Sequence, residues 1–498
     1  MTERTAWWTV FALAVAVGSV WALASPPLSG PDEIEQGRRA AAVVRGQVIG
    51  DRHPSLANLV VDVEVPETYG DVSVDRWRCF LGPLVAGSPQ QAMTLPPSTC
   101  PALPAGTDTV RVQTVQYRGQ PFFYAWVGLG TLVPGAPGTY LMRLLGLLPA
   151  AAFVASAAAS ARRSGRPLAG LGLVACLTPM VLYLAGSTNP SGLEIAAALS
   201  AWAAGAVLAS ERTRPDGRLL ARFGLALVVL ALLRGLGPLF AGLVVGGVAV
   251  VAGRARVREL ARERALWAWG GAVGVAVALS AAWLAHIQSA YPLADRPGSG
   301  WRTAFGYLPW YLRQSVGVFG TNDSALSVPV TWAWVGLALV VLAVGLVAAP
   351  ARARLVAAGA LVGGLAIQVT AEGLSLPPIG FFWQGRYALP LLLGSIVVAT
   401  TATGPDEPAS PPTWTWPAAA GTASVAVAIQ ALALLTVLRH YGARGPDTLG
   451  VVDALTDPRW HGPLPGWALL AALVAAAAGL AGALVAPGRR ATPEPSAA

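Results

Sequence analysis

Long apolar runs, separated by short polar loops, recur from one end of the chain to the other. Each run approaches the length that an α-helix needs to cross about 30 Å of hydrocarbon. The pattern predicts about a dozen transmembrane helices, at residues 6–25, 139–161, 168–186, 193–210, 219–233, 236–252, 265–286, 329–349, 355–371, 387–403, 417–438 and 464–486. Between 219 and 252, the stretch from Arg234 to Pro238 is either a tight turn between two spans or a break in one.

Composition agrees with a membrane protein. The 498 residues are 54% hydrophobic and 12% charged, whereas soluble domains carry roughly 25% charged residues. The net charge of +9 comes from arginines in short loops between the apolar runs. Nucleic-acid-binding proteins instead cluster their charge on one folded face, so that class is disfavoured.

The arginines predict an orientation. They follow every second run, as the positive-inside rule requires, at Arg162, Arg163, Arg166, Arg212, Arg214, Arg218, Arg254, Arg256, Arg258, Arg262, Arg264, Arg352, Arg354, Arg489 and Arg490. Both termini are therefore expected in the cytoplasm, with 26–120 outside. The first run has no small-residue cleavage site after it, so it is expected to be an anchor and not a cleaved signal peptide.

Residues 26–120 form the one large loop. A proline followed by acidic residues predicts a helix from Pro31, and alternation at 60–65 and 110–117 predicts short strands. Together they predict a small α/β domain, which divides the chain into a first transmembrane anchor (1–25), an extracytoplasmic loop domain (26–120), a multi-helix membrane domain (121–486) and a disordered cytoplasmic tail (487–498).

The cysteines fit this division. Cys79 and Cys100 both fall in the external loop, where an oxidising compartment permits a disulfide between them. Two unpaired thiols are the alternative. Cys176 lies in an apolar run and is expected to pack in the core.

Residues 121–133 are apolar but too short to span, and their aromatics predict an interfacial or re-entrant helix.

Several polar residues on the predicted outer face are candidates for chemistry. Asp32 and Glu33 could supply a general base or bind a cation, or merely favour a helix N-terminus. Arg386, between Gln384 and Tyr387, could bind a phosphate or reach lipid head groups.

Two further outer segments are ambiguous. The turn at Asn189, followed by Glu194, could cap the next helix or contribute to a site. The loop 291–323 mixes arginines such as Arg302 with aromatics. That mixture suits either a surface helix on lipid or a loop that contacts sugar and phosphate.

Four of these segments resemble the bacterial membrane family called domain of unknown function 2142. They are Pro31-Asp32-Glu33, the 121–124 stretch that ends at Tyr124, Asn189-Pro190, and Gln384 to Tyr387 with the following Leu389-Pro390. The order matches over nearly the whole chain. Two departures stand out: Ser191 replaces an acidic residue, for which Glu194 could substitute, and 121–124 is less aromatic and proline-rich than usual.

That family resembles the GT-C membrane glycosyltransferases, so the resemblance implies an all-α, GT-C-like polytopic fold. It further implies an inverting glycosyltransferase of the cell envelope that moves a sugar from a polyprenyl-phosphate donor to an extracytoplasmic polysaccharide, lipid or protein acceptor. Asp32 would be the base, and Glu33 would support it or help to hold Mg²⁺ or Mn²⁺. Arg386, Gln384 and Tyr387 would bind the donor phosphate, and Tyr124, Asn189, Glu194 and Arg302 would contact substrate.

Two other classes stay open. A transporter or flippase of lipid-linked sugars would need ionisable residues or broken helices near the bilayer midplane. Charged residues within the runs are few, which argues against a proton relay. An envelope assembly protein without catalytic activity is the third class.

Overall fold

A computed structural model describes residues 2–54, 59–70, 103–211, 215–291, 300–379, 381–403, 415–442, 450–458 and 460–486. Helices dominate it, and each predicted apolar run is helical over most of its length. The helices are α1 (Glu3–Leu23), α2 (Glu33–Val44), α3 (Pro121–Val127), α4 (Gly135–Arg163), α5 (Pro167–Cys176), α6 (Pro179–Ala185), α7 (Pro190–Ser210), α8 (Gly217–Leu233), α9 (Gly237–Leu260), α10 (Arg264–Ala290), α11 (Trp301–Gly306), α12 (Leu308–Gly317), α13 (Val328–Ala348), α14 (Ala351–Ile379), α15 (Leu389–Thr401), α16 (Thr415–Gly442), α17 (Val451–Thr456) and α18 (Gly466–Val485).

The prediction of a polytopic all-α membrane protein is confirmed. In the described part of the chain, nine helices are long and apolar enough to cross a bilayer. The predicted span 168–186 is a bent pair, because α5 and α6 meet at 70° and together would make a tenth span. Two more predicted spans form shorter helices, the 17-residue α8 and the 13-residue α15.

The ambiguous run 219–252 forms two helices. Helix α8 ends at Leu233 and α9 begins at Gly237, and the Gly237 amide donates to the Arg234 carbonyl at 2.9 Å. A tight turn therefore separates two helices, of which α9 is long enough to span a bilayer. Helix α9 also contains a kink at Gly253, whose φ is +71°.

Helix α7 lies at the centre of the bundle. Its spanning stretch is entirely buried, and many of its residues are Ala, Gly or Ser, which allow neighbouring helices to approach closely. The Trp202 indole donates to the Pro390 carbonyl at 3.0 Å, which ties α7 to α15. Gly394 makes room for this ring, because a Cβ there would lie 2.2 Å from its nitrogen.

The predicted strands are confirmed in the loop that follows α1. Strands β1 (Asp51–Arg52), β2 (Val61–Pro66) and β3 (Thr109–Thr114) form an antiparallel sheet in that order, with Val63 opposite Val112. The Arg38 guanidinium of α2 donates to the carbonyls of Tyr69, Gly70 and Gln113 and so holds that helix on the sheet. Cys79, Cys100 and the tail 487–498 lie outside the described residues, so the disulfide and the tail stay predictions.

The remaining predicted segments are mostly helical. Residues 121–133 form α3 and a 3-10 turn at Gly128–Leu132, with Phe122 and Trp126 exposed. Residues 301–325 form α11, α12 and a small hairpin of β4 (Val318–Phe319) and β5 (Ser324–Ala325). Cys176 is buried and unpaired, as expected for core packing.

Candidate functional site

The predicted site residues come from helix ends that meet at one end of the bundle. Helices α1 and α8 finish there, and α4, α7 and α15 begin there. We call this the site end, and the end at which α1 begins the opposite end. The Asn189 side chain before α7 donates to the Pro31 carbonyl after α1 at 2.9 Å, which joins two of these segments directly.

Asp32 and Arg386, 354 positions apart in the chain, form an ion pair. The Arg386 Nη2 donates to the Asp32 Oδ2 at 2.6 Å. The Arg386 side chain is 6% exposed, whereas that of Asp32 is 38% exposed. In this pair the carboxylate is therefore accessible at the protein surface, whereas the guanidinium is buried.

The backbone of Asp32 is unusual. Its φ of +57° places it in the left-handed region, which costs energy for a residue other than glycine but which Asp tolerates as a single residue. Asp32 is the N-cap residue of α2, yet its side chain makes no capping hydrogen bond. The Asp32 carboxylate therefore does not cap α2 by a hydrogen bond, although its charge still suits the N-terminal end of that helix.

Arg386 keeps one donor free of the protein. Its guanidinium also donates to the Gln384 side chain and lies 3.5 Å from the Tyr387 hydroxyl. Its Nε is buried and has no hydrogen-bond acceptor among the described residues. A buried N–H without an acceptor costs free energy unless a ligand or water satisfies it.

The neighbouring Gly385 is required by the protein itself. A Cβ at this position would lie 1.9 Å from the Tyr311 carbonyl oxygen. The Gly385 amide donates to the side-chain oxygen of Gln314 at 2.8 Å, and the Gly385 carbonyl accepts from the Ser315 hydroxyl at 3.0 Å. The turn that carries Arg386 is thus held on α12, and the glycine does not open space for a ligand.

A second guanidinium joins this cluster. The Arg234 guanidinium lies over the Tyr387 ring at 4.0 Å, while that of Arg386 lies 5.1 Å from the same ring. Arg234 also donates to the Ser191 hydroxyl at 2.6 Å and lies 4.0 Å from the Glu194 carboxylate. Two guanidinium groups thus lie near the Tyr387 ring, and the Glu194 carboxylate lies close to one of them, Arg234. We call Asp32, Glu194, Arg234, Arg386 and Tyr387 the polar cluster.

Glu33 has a different role from its neighbour. Its carboxylate accepts two hydrogen bonds from Arg143 at 2.8 and 2.6 Å, one from the Gly30 amide at 3.0 Å and one from the Thr188 amide at 2.9 Å. Burial alone would raise the pKa of Glu33, but the Arg143 charge and these hydrogen bonds outweigh it, and the pKa is lowered.

Arg143 is equally occupied. Besides Glu33, it donates to the carbonyls of Ala22, Ser25 and Pro26. The pair therefore holds the end of α1, the start of α2 and the turn before α7 together. The predicted role of Glu33 in assisting the base or binding a metal finds no support in this geometry, because the protein uses all four acceptor positions of its carboxylate.

The described residues do not fit a divalent cation. They contain no group of three or more His, Cys, Asp or Glu side chains placed to hold a metal ion. Glu33 is occupied by Arg143, and Asp32 is paired with Arg386. The expected Mg²⁺ or Mn²⁺ site at Asp32 and Glu33 therefore has too few free ligands in this part of the chain.

The other predicted residues divide into two groups. Asn189 caps α7 by accepting from the Ser191 amide at 2.9 Å. Buried Tyr124 donates to Gln36 at 2.5 Å, and burial raises its pKa to about 12 although the Arg39 charge lowers it. Both side chains thus bond to segments next to the polar cluster, Asn189 to the Pro31 carbonyl and Tyr124 to Gln36 of α2. Arg302 is exposed on α11, and no hydrogen bond or ion pair in the described structure links it to the cluster.

Sequence reasoning missed Arg234 and Arg143. The sequence pattern identifies Arg234 only as part of a turn and Arg143 only as one residue of a span. The signal was present for both, since an arginine inside or at the outer end of an apolar run is costly and needs a partner or a function. Which partner each one takes depends on tertiary contacts 43 and 110 residues away.

These features define a multi-pass membrane protein with a largely buried polar cluster at one end of its helical bundle. Residues 15–395 match the family described as "Predicted membrane protein (DUF2142)", and the chain belongs to that family. None of the curated proteins matches it.

Two crystal structures of ArnT from Cupriavidus metallidurans are similar to this chain. One is bound to undecaprenyl phosphate, with a TM-score of 0.44 and 13% identity, and the other is in the apo state, with a TM-score of 0.44 and 15% identity. Each alignment covers 97% of this chain and 77% of the ArnT chain.

Proposed function

We propose that this protein is a cell-envelope glycosyltransferase that moves a sugar from a polyprenyl-phosphate donor to an acceptor at the site end of the bundle. The observation that carries the proposal is the ion pair of Asp32 and Arg386. It combines a partly exposed carboxylate that caps no helix with a buried guanidinium that retains a free N–H donor.

The chemistry needs both partners. An acceptor hydroxyl would lose its proton to Asp32 as its oxygen forms a bond to the anomeric carbon of the sugar. The bond from that carbon to the phosphate oxygen would break, and the polyprenyl phosphate would leave with the electron pair. Attack from the face opposite the phosphate would invert the anomeric configuration.

Arg386 would serve the leaving group. Without substrate, its Nη2 is held by Asp32 at 2.6 Å. A donor phosphate would compete for this guanidinium, accept from its free Nε and leave Asp32 available as a base. Arg234, whose guanidinium lies 4.0 Å from the centroid of the Tyr387 ring, would add a second positive charge where negative charge develops.

The location suits a lipid-borne substrate. The cluster lies at the ends of apolar helices, where lipid phosphates would be found. Helix α3 and its following turn expose Phe122, Trp126 and Leu129 beside it, and aromatic residues prefer the membrane–water interface. This segment would guide the polyprenyl chain while the phosphate reaches Arg386.

A transporter or flippase is the second candidate, favoured by the 70° bend between α5 and α6. Broken helices often mark transport sites. Here, however, the Leu177 carbonyl accepts from Gln430 at 2.9 Å, and the Thr178 hydroxyl donates to the Ser315 carbonyl at 3.0 Å and caps α6. The freed backbone groups are thus satisfied within the protein.

The experiment is an assay of the full chain reconstituted into vesicles. Radiolabelled polyprenyl-phosphate sugars would be supplied with envelope extract as acceptor, and label in the extract would be measured. Transfer would support the proposal. Movement of labelled lipid between leaflets without transfer would favour the flippase, and neither activity with any donor would favour an assembly protein.

A further inference from the structure

A cavity at the opposite end of the bundle has no part in the proposed reaction. It has a volume of about 460 Å³ and lies between α1, α4 and α8. Its lining includes Trp7, Phe153 and Leu225 from these three helices. Because α1 rises about 30 Å over its 21 residues, this cavity is a full membrane thickness away from the polar cluster.

Three arginines surround the cavity. Arg4 and Arg218 are exposed at its rim, where α1 and α8 begin, and Arg222 lines its wall one helical turn deeper. The one acidic residue in the lining is Glu3, which lies 2.6 Å from the Arg222 guanidinium. The local charge of these four side chains is therefore +2, and it lies at the mouth of an otherwise apolar cavity.

The guanidinium of Arg222 has one N–H group without a hydrogen-bond acceptor among the described residues. The Nη1 of Arg222 is buried and has no hydrogen-bond acceptor within the described residues. The ion pair with Glu3 uses Nη2 instead. A buried cationic N–H is costly without an acceptor, and a negatively charged oxygen entering the cavity would satisfy it.

The aromatic residues indicate the depth of the cavity. Trp7 stacks on Phe11 with ring centroids 5.2 Å apart, and Trp8 contacts both rings edge-on while remaining 54% exposed. Tryptophan prefers the level of the lipid head groups. The arginines lie at the same helix ends, where a lipid phosphate would meet them and an acyl chain would continue into the apolar part.

We propose that this cavity binds an anionic phospholipid, with its phosphate at Arg218 and Arg222 and one acyl chain against Trp7, Phe153 and Leu225. The volume falls in the range of small-molecule sites, roughly 300–1,000 Å³. The positive rim selects negative over zwitterionic head groups. This proposal does not depend on the reaction proposed at the site end.

The test measures lipid retention by native mass spectrometry of the full chain released from detergent. Wild-type protein is compared with the Arg218→Gln/Arg222→Gln double variant after incubation with phosphatidylglycerol, with phosphatidylcholine or with inorganic phosphate. Arg262→Gln is the matched control, because Arg262 is exposed at the same end of the bundle but does not line the cavity.

The expected result is one retained phosphatidylglycerol in wild type and in the control, and a retained fraction lower on the order of tenfold in the double variant. Equal retention in the double variant, or equal retention of phosphatidylcholine, would overturn the proposal. Binding of inorganic phosphate with no preference for lipid would show an anion site and would also overturn it. A thermal melt checks folding, and Arg218→Gln alone replaces the double variant if that one unfolds.

Discussion

Asp32 and Glu33 are chemically similar neighbours in opposite environments. Asp32 is partly exposed with one ionic partner, whereas Glu33 is fully buried with four hydrogen bonds. A buried carboxylate held by a guanidinium cannot take up a proton without losing that pair. The environment therefore separates a residue suited to proton transfer from a residue that stabilises the fold.

Replacement of Glu33 is expected to destabilise the protein. In Glu33→Gln, Arg143 would be left as a buried charge, and the expected loss is about 3–5 kcal/mol of unfolding free energy. Thermal denaturation in detergent measures it. Glu64→Gln, an exposed residue of β2, is the control and should change little.

The same variant gives a pH test. The pKa of Glu33 is lowered in the folded state from its ordinary 4.5, so its stabilisation is complete above that pH and is lost as the pH falls through the lowered value. The gap in melting temperature between wild type and Glu33→Gln should stay constant from pH 7 to 5 and narrow in more acidic buffer. A gap that widens in acid would contradict this assignment.

Arg386 is expected to act through the paired N–H donors of its planar guanidinium and not only through its charge. Arg386→Lys should retain part of the transfer activity, because it keeps the charge but loses paired donors. Arg386→Ala should lose on the order of 3 kcal/mol of transition-state stabilisation, as in oxyanion-type sites. Single-turnover rates measure both.

The control for Arg386 is Arg111→Ala. Arg111 also pairs with an aspartate, Asp62, at 3.2 Å, but on the sheet and away from the polar cluster. It should keep wild-type rates. An active Arg386→Ala enzyme would instead mean that Arg386 does not bind the donor phosphate.

At the scale of elements, the turn at 384–388 positions Arg386. Gly385→Ala would force a Cβ against the Tyr311 carbonyl, so we expect it to cost about 1–3 kcal/mol and to reduce transfer strongly. Gly359→Ala in α14 meets no atom within 4 Å and should be neutral or slightly stabilising. Gly385→Ala should therefore lower both the melting temperature and the transfer rate, whereas Gly359→Ala should leave the transfer rate unchanged. Equal behaviour of the two variants would contradict the assigned role of this turn.

Periodicity and length predicted the elements well, because apolar runs, strand alternation and prolines are local signals. The helices at the predicted spans and the strands β2 and β3 follow from them, whereas the pairing of the two strands does not. The bend between α5 and α6 was not predicted, although Pro179 directly follows Leu177 and Thr178 and a proline disfavours helix at the preceding residue. Its stability depends on Gln430 and Ser315, which are distant in the chain.

The candidate site was only partly predictable for the same reason. Asp32, Arg386 and Tyr387 stood out because polar groups at a membrane surface need an explanation. The separation of Asp32 from Glu33, and the participation of Arg234, depend on which helix ends meet. One sequence contains no local signal for those contacts.

At the scale of the whole molecule, the alternation of spans places every member of the polar cluster at one end. Reporters fused at Gly165 and Arg258 should be cytoplasmic, and reporters at Gly70 and Gly300 should be outside, because arginine-rich loops are retained in the cytoplasm. All four positions lie in the described chain, two at each end of the bundle. A cytoplasmic signal at Gly70 would place the polar cluster inside the cell and contradict the proposed envelope reaction.

The central claim is that Asp32 takes the proton of the acceptor. The most direct measurement is the single-turnover rate of sugar transfer by Asp32→Asn, beside Asp62→Asn, which alters an aspartate also paired with an arginine. Asn keeps the shape of Asp but cannot act as a base near neutral pH. We predict a folded Asp32→Asn protein without transfer and a fully active Asp62→Asn protein. Near-wild-type transfer by Asp32→Asn would contradict the account.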